Sequence, residues 1–202
     1  MNENSSTTSI SSLARSPELM SAADTALLVV DVQGKLITLV PGHRRIIWNI
    51  RRLIDGAKAL GVSIAATEQY PMGLGPTVPE LVERLGPIAA KTDFSCCACT
   101  EIMASWKAKD ICRVLLVGIE AHVCIQQTAF DLLAAGYRVY LAVDAIGARH
   151  DIDYQIALRR MDSAGATLTT TEAALFEWCE RSGTMPFKQI SALVQEKPPA
   201  DA

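Results

Sequence analysis

The chain has 202 residues, half of them hydrophobic, with 19 Lys and Arg against 22 Asp and Glu for a net charge of −3. That length fits one domain able to fold without disulfide staples, and the composition excludes a disordered chain, a collagen-like chain and a coiled coil. Slightly acidic charge lacks the clustered cations that neutralise phosphates, so nucleic acid is not an expected partner; no apolar run approaches the roughly 20 residues needed to cross a bilayer, so neither is a membrane.

Residues 1–23 are rich in Ser and Thr, carry Glu3 and show no basic stretch followed by an apolar one. They read as a flexible tail rather than a secretory signal, and the protein as cytoplasmic. Thr25–Asp31 (TALLVVD) is an apolar run ending in an acid, the pattern of a strand buried on both faces of a parallel sheet. From His43 to Leu60, Ile46, Ile47, Ile50, Leu53, Ile54 and Ala57 recur at helical spacing, with Gly61 as the stop. Val62–Thr67 resumes as strand. Glu68–Pro79, with three Pro and two Gly, reads as a long ordered loop of the kind that shapes a cavity.

Leu81–Leu85 predicts a short helix, and Pro87–Ala90 a short strand running into Lys91. A helix around Thr100–Lys109 precedes a strand at Arg113–Gly118. Cys124–Ala135 has a helical pattern closed by Gly136, and Tyr137–Val143 follows as strand. Asp151–Ala164 reads as a helix with Asp151 as N-cap and Gly165 as stop. Thr167–Thr170 is a last strand, Glu172–Arg181 and Phe187–Val194 are closing helices, and residues 197–202 read as a flexible end. This alternation predicts a single α/β domain over residues 24–196: a three-layer α/β/α, doubly wound, mostly parallel sheet.

In such sheets ligands bind outside the carboxyl ends of the strands. Asp31 closes the first strand, Lys91 follows the third, and Cys124 begins a helix a few residues beyond the strand ending at Gly118, so an acid, a cation and a thiol share one edge. A helix N-terminus and a neighbouring cation both lower a thiol pKa, and a buried carboxylate can take the thiol proton during attack and return it to the leaving group. Position alone leaves plainer readings open. Asp31 would then be a capping or loop-bonding acid, Lys91 a solvated charge and Cys124 a small buried hydrophobe.

The remaining cysteines, Cys96, Cys97, Cys99, Cys112 and Cys179, read as reduced thiols in a chain that does not need disulfides. His43, His122 and His150 are not paired at ligand spacing, so neither a metal nor another cofactor is expected. His122, two residues before Cys124, reads as a surface or loop-bonding histidine rather than its base. Tyr70, Phe94 and Trp106 are candidates to line a substrate pocket, each with ordinary core as the alternative.

Five segments change the weight of these readings: LLVVDVQGKL (Leu27–Leu36), TEQYPMGLGPTVPEL (Thr67–Leu81), KTDFSC (Lys91–Cys96), LLVGIEAHVCIQQTAFDLLAAGYRVY (Leu115–Tyr140) and VDAIGAR (Val143–Arg149). Together, in order from about Thr25 to about Lys188, they resemble the isochorismatase-like cysteine hydrolase superfamily, most closely its isochorismatase domain-containing subgroup. The resemblance implies the fold derived above and a catalytic set at Asp31, Lys91 and Cys124. It also implies a non-proline cis peptide at Ile119–Glu120 that aims the main-chain N–H groups of Glu120 and Cys124 at a developing oxyanion. Metal-binding nicotinamidases of this superfamily carry Asp-x-His after the second strand, whereas Glu68-Gln69-Tyr70-Pro71 has no His. Isochorismatases that cleave a vinyl ether lack the nucleophilic Cys.

The expected function is therefore hydrolysis of an amide-type C–N bond in a small molecule through a Cys124 acyl-enzyme, with Asp31 as base and acid, Lys91 as orienting cation, and a homo-oligomer of two or more copies. Alternatives from other classes are a catalytically silent protein that keeps the fold, a vinyl-ether hydrolase, and a redox sensor pairing Cys96, Cys97 or Cys99 with Cys124.

Overall fold

A computed structural model describes residues 14–200. Its centre is a six-stranded parallel sheet in the order β3-β2-β1-β4-β5-β6, formed by β1 (Thr25–Val30), β2 (Ser63–Gln69), β3 (Ile88–Lys91), β4 (Arg113–Ile119), β5 (Arg138–Gly147) and β6 (Thr167–Thr169). The chain winds outward from β1 to β3, returns to the centre at β4, and winds the other way to β6. The order therefore reverses between β1 and β4, where an open parallel sheet leaves a crevice.

Period-two alternation divides the core in two. Leu27, Val29, Leu115 and Val117 point into one cluster with helix α2 (His43–Leu60) and the closing helices α8 (Thr171–Cys179) and α9 (Met185–Val194). Ala26, Leu28, Val30, Val114 and Leu116 point to the opposite face, against α5 (Thr100–Ala108), α6 (Gln126–Ala134) and α7 (Asp151–Ser163). Both faces of β1 are covered, which is why its sequence is apolar without alternation. Ile50, Leu53, Ile54 and Ala57 form the buried stripe of α2, and Gly61 ends the helix at φ 74°, where a side chain would be strained. Among the described residues no helix is long and apolar enough to cross a membrane.

Several boundaries differ from the sequence reading. The expected loop at Glu68–Pro79 is partly ordered into elements: β2 runs on to Gln69, and α3 (Pro71–Leu74) and α4 (Pro79–Val82) each begin on a proline, which suits a first helical turn. A short helix α1 (Gly34–Ile37) follows β1, where none was expected. β5 extends past Val143 because its pairing with β4 jumps from Leu116↔Leu141 to Gly118↔Ile146. This bulge is held by Asp144, whose carboxylate accepts from the Thr171 N–H and hydroxyl, and by Asn49. The cap of α7 is His150 rather than Asp151.

Of the expected N-terminal tail, residues 1–13 lie outside the described residues, as do 201–202 of the expected C-terminal one. Residues 14–23 are not loose. Met20 is fully buried, its N–H donates to Glu177, and Arg15 donates to the Met20 and Glu177 carbonyls. The carbonyls of Pro17 and Glu18 accept from Arg113, Arg138 and Tyr140, so the segment straps the amino ends of β4 and β5.

Candidate active site

β1 delivers Asp31 at its carboxyl end with φ 53°, a left-handed conformation uncommon outside glycine and of the kind that clusters at functional sites. The Asp31 N–H donates to the Thr67 carbonyl at 3.1 Å. In return the Thr67 hydroxyl donates to Asp31 Oδ1 at 2.8 Å. The other carboxylate oxygen, Oδ2, accepts from Lys91 Nζ at 2.7 Å. Asp31 is 1% exposed and Lys91 6%, so this ion pair sits away from water.

Lys91 lies on β3, yet the register Gln69↔Lys91 turns it toward the end of β2, where Gln69 Oε1 accepts at 2.6 Å. The main-chain oxygens of Asp93 and Phe94 are each 3.2 Å from the same nitrogen. Three ammonium hydrogens thus face four acceptors, all from the protein. Burial alone lowers the pKa of Lys91, but the charges of Asp31, Cys96 and Cys124 and the bond to Asp31 outweigh it and hold the ammonium above its ordinary value. Gln69 is itself clamped: its N–H donates to Gln33 Oε1 at 2.8 Å, and Gln33 Nε2 donates to the Gln69 and Gly75 carbonyls.

β4 brings the thiol. Gly118 pairs with Val30 at φ +116°, where an added Cβ would lie 2.1 Å from the Val30 oxygen; only glycine lets the two strand ends come this close. The Ile119–Glu120 peptide is cis, and Ala121–Ile125 forms one π-helical turn before α6. Cys124 therefore sits inside that turn and not at the first residue of an α-helix. It is 6% exposed, and its thiol lies within the electrostatic reach of Asp31 and Lys91. Burial and then the Asp31 charge push the thiol pKa well above its ordinary value, and Lys91 only partly opposes this. The lowering expected from a helix N-terminus and a neighbouring cation is therefore not what surrounds this thiol. One lysine balances one anion, and the buried carboxylate already has it.

Cys96, in the turn after β3, is a second buried thiol beside the pair. Its Sγ lies 3.5 Å from Thr67 Oγ1, and burial pushes its pKa up to about 12. Glu120 is buried against Arg149, which donates from Nε at 2.9 Å. Burial pushes the Glu120 carboxyl up, but the bonds and charge of Arg149 outweigh it and hold it below the usual carboxylate range. All six cysteines are free thiols.

The pocket candidates separate. Trp106 is core on α5, stacked edge-on against Tyr137 at 6.0 Å. Phe94 is 50% exposed and enters the site through its carbonyl on Lys91. Tyr70 is 56% exposed and takes a left-handed conformation as its N–H reaches the Lys91 carbonyl at 2.8 Å. A cavity along the outer edge of β3 is lined by Tyr70, Lys91, Asp93, Cys99 and Glu101; neither Asp31 nor Cys124 lines it. His122 lies 3.8 Å from Asp153 on α7. Among the described residues no three His, Cys, Asp or Glu side chains converge as a metal site would require. Position alone did not single out Thr67 or Gln69, because their places depend on how β2 and β3 align with β1, and Cys96 entered only as a redox partner for Cys124.

Comparison with known proteins gives the family. Residues 25–173 match the family model described as "Isochorismatase domain". The chain is 37% identical over 182 residues to isochorismatase domain-containing protein 2 of Danio rerio, covering 89% of this chain and 91% of that one. It is 38% identical to the Homo sapiens protein of that name, covering 86% and 84%. The solved structure of MAR1 ribonuclease from Caenorhabditis elegans is 41% identical with a TM-score of 0.83, covering 90% and 94%. By the length of the family match and by these identities, the chain belongs to the isochorismatase-domain family.

Proposed function

We propose that the protein is a cysteine hydrolase that cleaves an amide-type C–N bond of a small molecule, in the cytoplasm and without a cofactor. The observation that carries the reading is a buried carboxylate bonded to an ammonium, with the buried Cys124 thiol close enough to feel both charges. The resting set is Cys124 thiol, Asp31 carboxylate and Lys91 ammonium, which is neutral overall. As the sulfur attacks the acyl carbon, its proton passes to Asp31, and the negative charge moves to the acyl oxygen, held by the N–H groups of Glu120 and Cys124. Collapse breaks the C–N bond; Asp31 protonates the leaving amine, leaving a thioester. Asp31 then takes a proton from water as the water attacks the thioester, and the acid product leaves with the thiol restored.

A buried thiol of raised pKa suits this sequence, because the anion forms only when the substrate supplies a place for the charge. Lys91 has its hydrogens committed to protein acceptors, so its role is to orient and balance Asp31 rather than to bind substrate. Tyr70 and Phe94 would shape the mouth. A homo-oligomer belongs to the same reading, in keeping with exposed apolar side chains such as Met72, Ile152 and Met185.

The test is a screen of small amides and ureido acids, with RNA included because of the name the C. elegans relative carries. Cys124→Ala serves as the blank. Turnover of an amide by the wild type, its loss in Cys124→Ala with an unchanged melting curve, and a thioester on Cys124 caught by mass spectrometry are the expected results. Full activity in Cys124→Ala on any such amide would end the scheme.

A further inference from the structure

We propose that Thr67 is a positioning residue for Asp31: its hydroxyl pins one carboxylate oxygen and thereby fixes the direction in which the carboxylate faces Cys124. The proposal rests on the reading of Asp31 as the base of Cys124 and adds to it a residue with no contact to the reacting sulfur.

The geometry is reciprocal. Thr67 is 1% exposed at the end of β2, and the register Val30↔Thr67 places it beside the turn out of β1. Its carbonyl accepts from the Asp31 N–H at 3.1 Å while its hydroxyl donates to Oδ1 at 2.8 Å, so one residue fixes both the main chain and the side chain of Asp31. Carboxylate rotation about the terminal torsion of an aspartate is soft, and two donors on different oxygens remove that freedom. Here the second donor is Lys91 on Oδ2.

The direction of the bond follows from counting hydrogens. An ionised carboxylate only accepts, so the single hydroxyl hydrogen of Thr67 goes to Asp31, and the Cys96 thiol 3.5 Å away is left to donate to Thr67. The result is a chain, Cys96 to Thr67 to Asp31, in which each donor strengthens the next. It requires Cys96 to keep its proton, which its burial ensures. The titratable and charged groups facing Asp31 are Lys91 from β3, Cys96 and Cys99 from the turn after it, and Cys124 from the π turn; the charge of Asp93 bears on Cys99.

The rate at which iodoacetamide labels Cys124 on the full chain at neutral pH, followed by peptide mass spectrometry, reads the base without a known substrate. Asp31→Asn is expected to lower that rate at least tenfold. Thr67→Val, equal in shape but without the donor, is expected to lower it about tenfold with an unchanged melting curve, the size of a hydrogen bond to an ionised group, and Thr67→Ser to restore it. Should Thr67→Val not fold, Thr67→Ala is read in the same way. An unchanged rate in the donor-less variant, with Asp31→Asn behaving as stated, overturns the role of Thr67. An unchanged rate in Asp31→Asn overturns Asp31 itself, a separate failure.

Discussion

Asp31 carries an ion pair in a place where a lone charge would not persist, and the energetics are asymmetric. Removing one partner of a buried pair leaves the other uncompensated, at a cost of about 3–5 kcal/mol. Lys91→Met is therefore expected to lower the unfolding free energy at neutral pH by that amount, read from urea melts. The pH dependence has a definite sign. The ammonium titrates above its ordinary value of 10.5 in the folded chain, so the stability it lends is complete below about that pH and is lost as the pH climbs through the folded-state value. A wild-type and variant difference that stays constant well into that alkaline range would contradict the burial of the pair. At this scale the sequence was legible in part. Asp31, Lys91 and Cys124 stand out because each follows a strand, whereas Thr67 and Gln69 look like ordinary strand residues until the register Val30↔Thr67 and Gln69↔Lys91 is known.

Elements determine how closely Asp31 and Cys124 approach. β1 and β4 are adjacent and parallel, and their carboxyl ends converge because Gly118 meets the Val30 carbonyl without a side chain between them. Gly118→Ala places a methyl group against main chain in a conformation alanine resists; it is expected to cost about 3 kcal/mol or more and to abolish Cys124 labelling at neutral pH, since the turn that follows must shift. Melting and labelling measured together check this, and a variant that keeps both would show that β4 yields easily. Helix α2 was readable almost to the residue from its apolar stripe and Gly61. The π turn at Ala121–Ile125 was not, because its residues also fit the start of an α-helix, and the bulge in β5 was not, because it is fixed by Asp144 reaching Thr171 far along the chain.

The whole molecule is organised around the reversal of strand order. Its two clusters of core side chains lie on opposite faces, and each central strand feeds both. The segment before β1 belongs to this body despite its polar composition: one methionine, Met20, is inserted fully, and just before it the Pro17 carbonyl accepts hydrogen bonds from Arg113 of β4 and Arg138 of β5. Met20→Ala is expected to destabilise the fold by about 2–4 kcal/mol in urea, and a loss below 1 kcal/mol would show that the cavity closes. Composition concealed this, because one buried side chain in a Ser-rich stretch leaves no periodic signal.

The cation of the site stands on β3, the outermost strand on its side of the sheet and only four residues long. Margins of a sheet are where local opening begins, since such a strand is secured along one flank alone. When that margin frays, the carboxylate loses its counter-charge while Cys124, seated at the protected centre, stays in place. Loss of the proposed activity in mild heat or denaturant should therefore precede any collapse of the interior and reverse as the border strand re-zips.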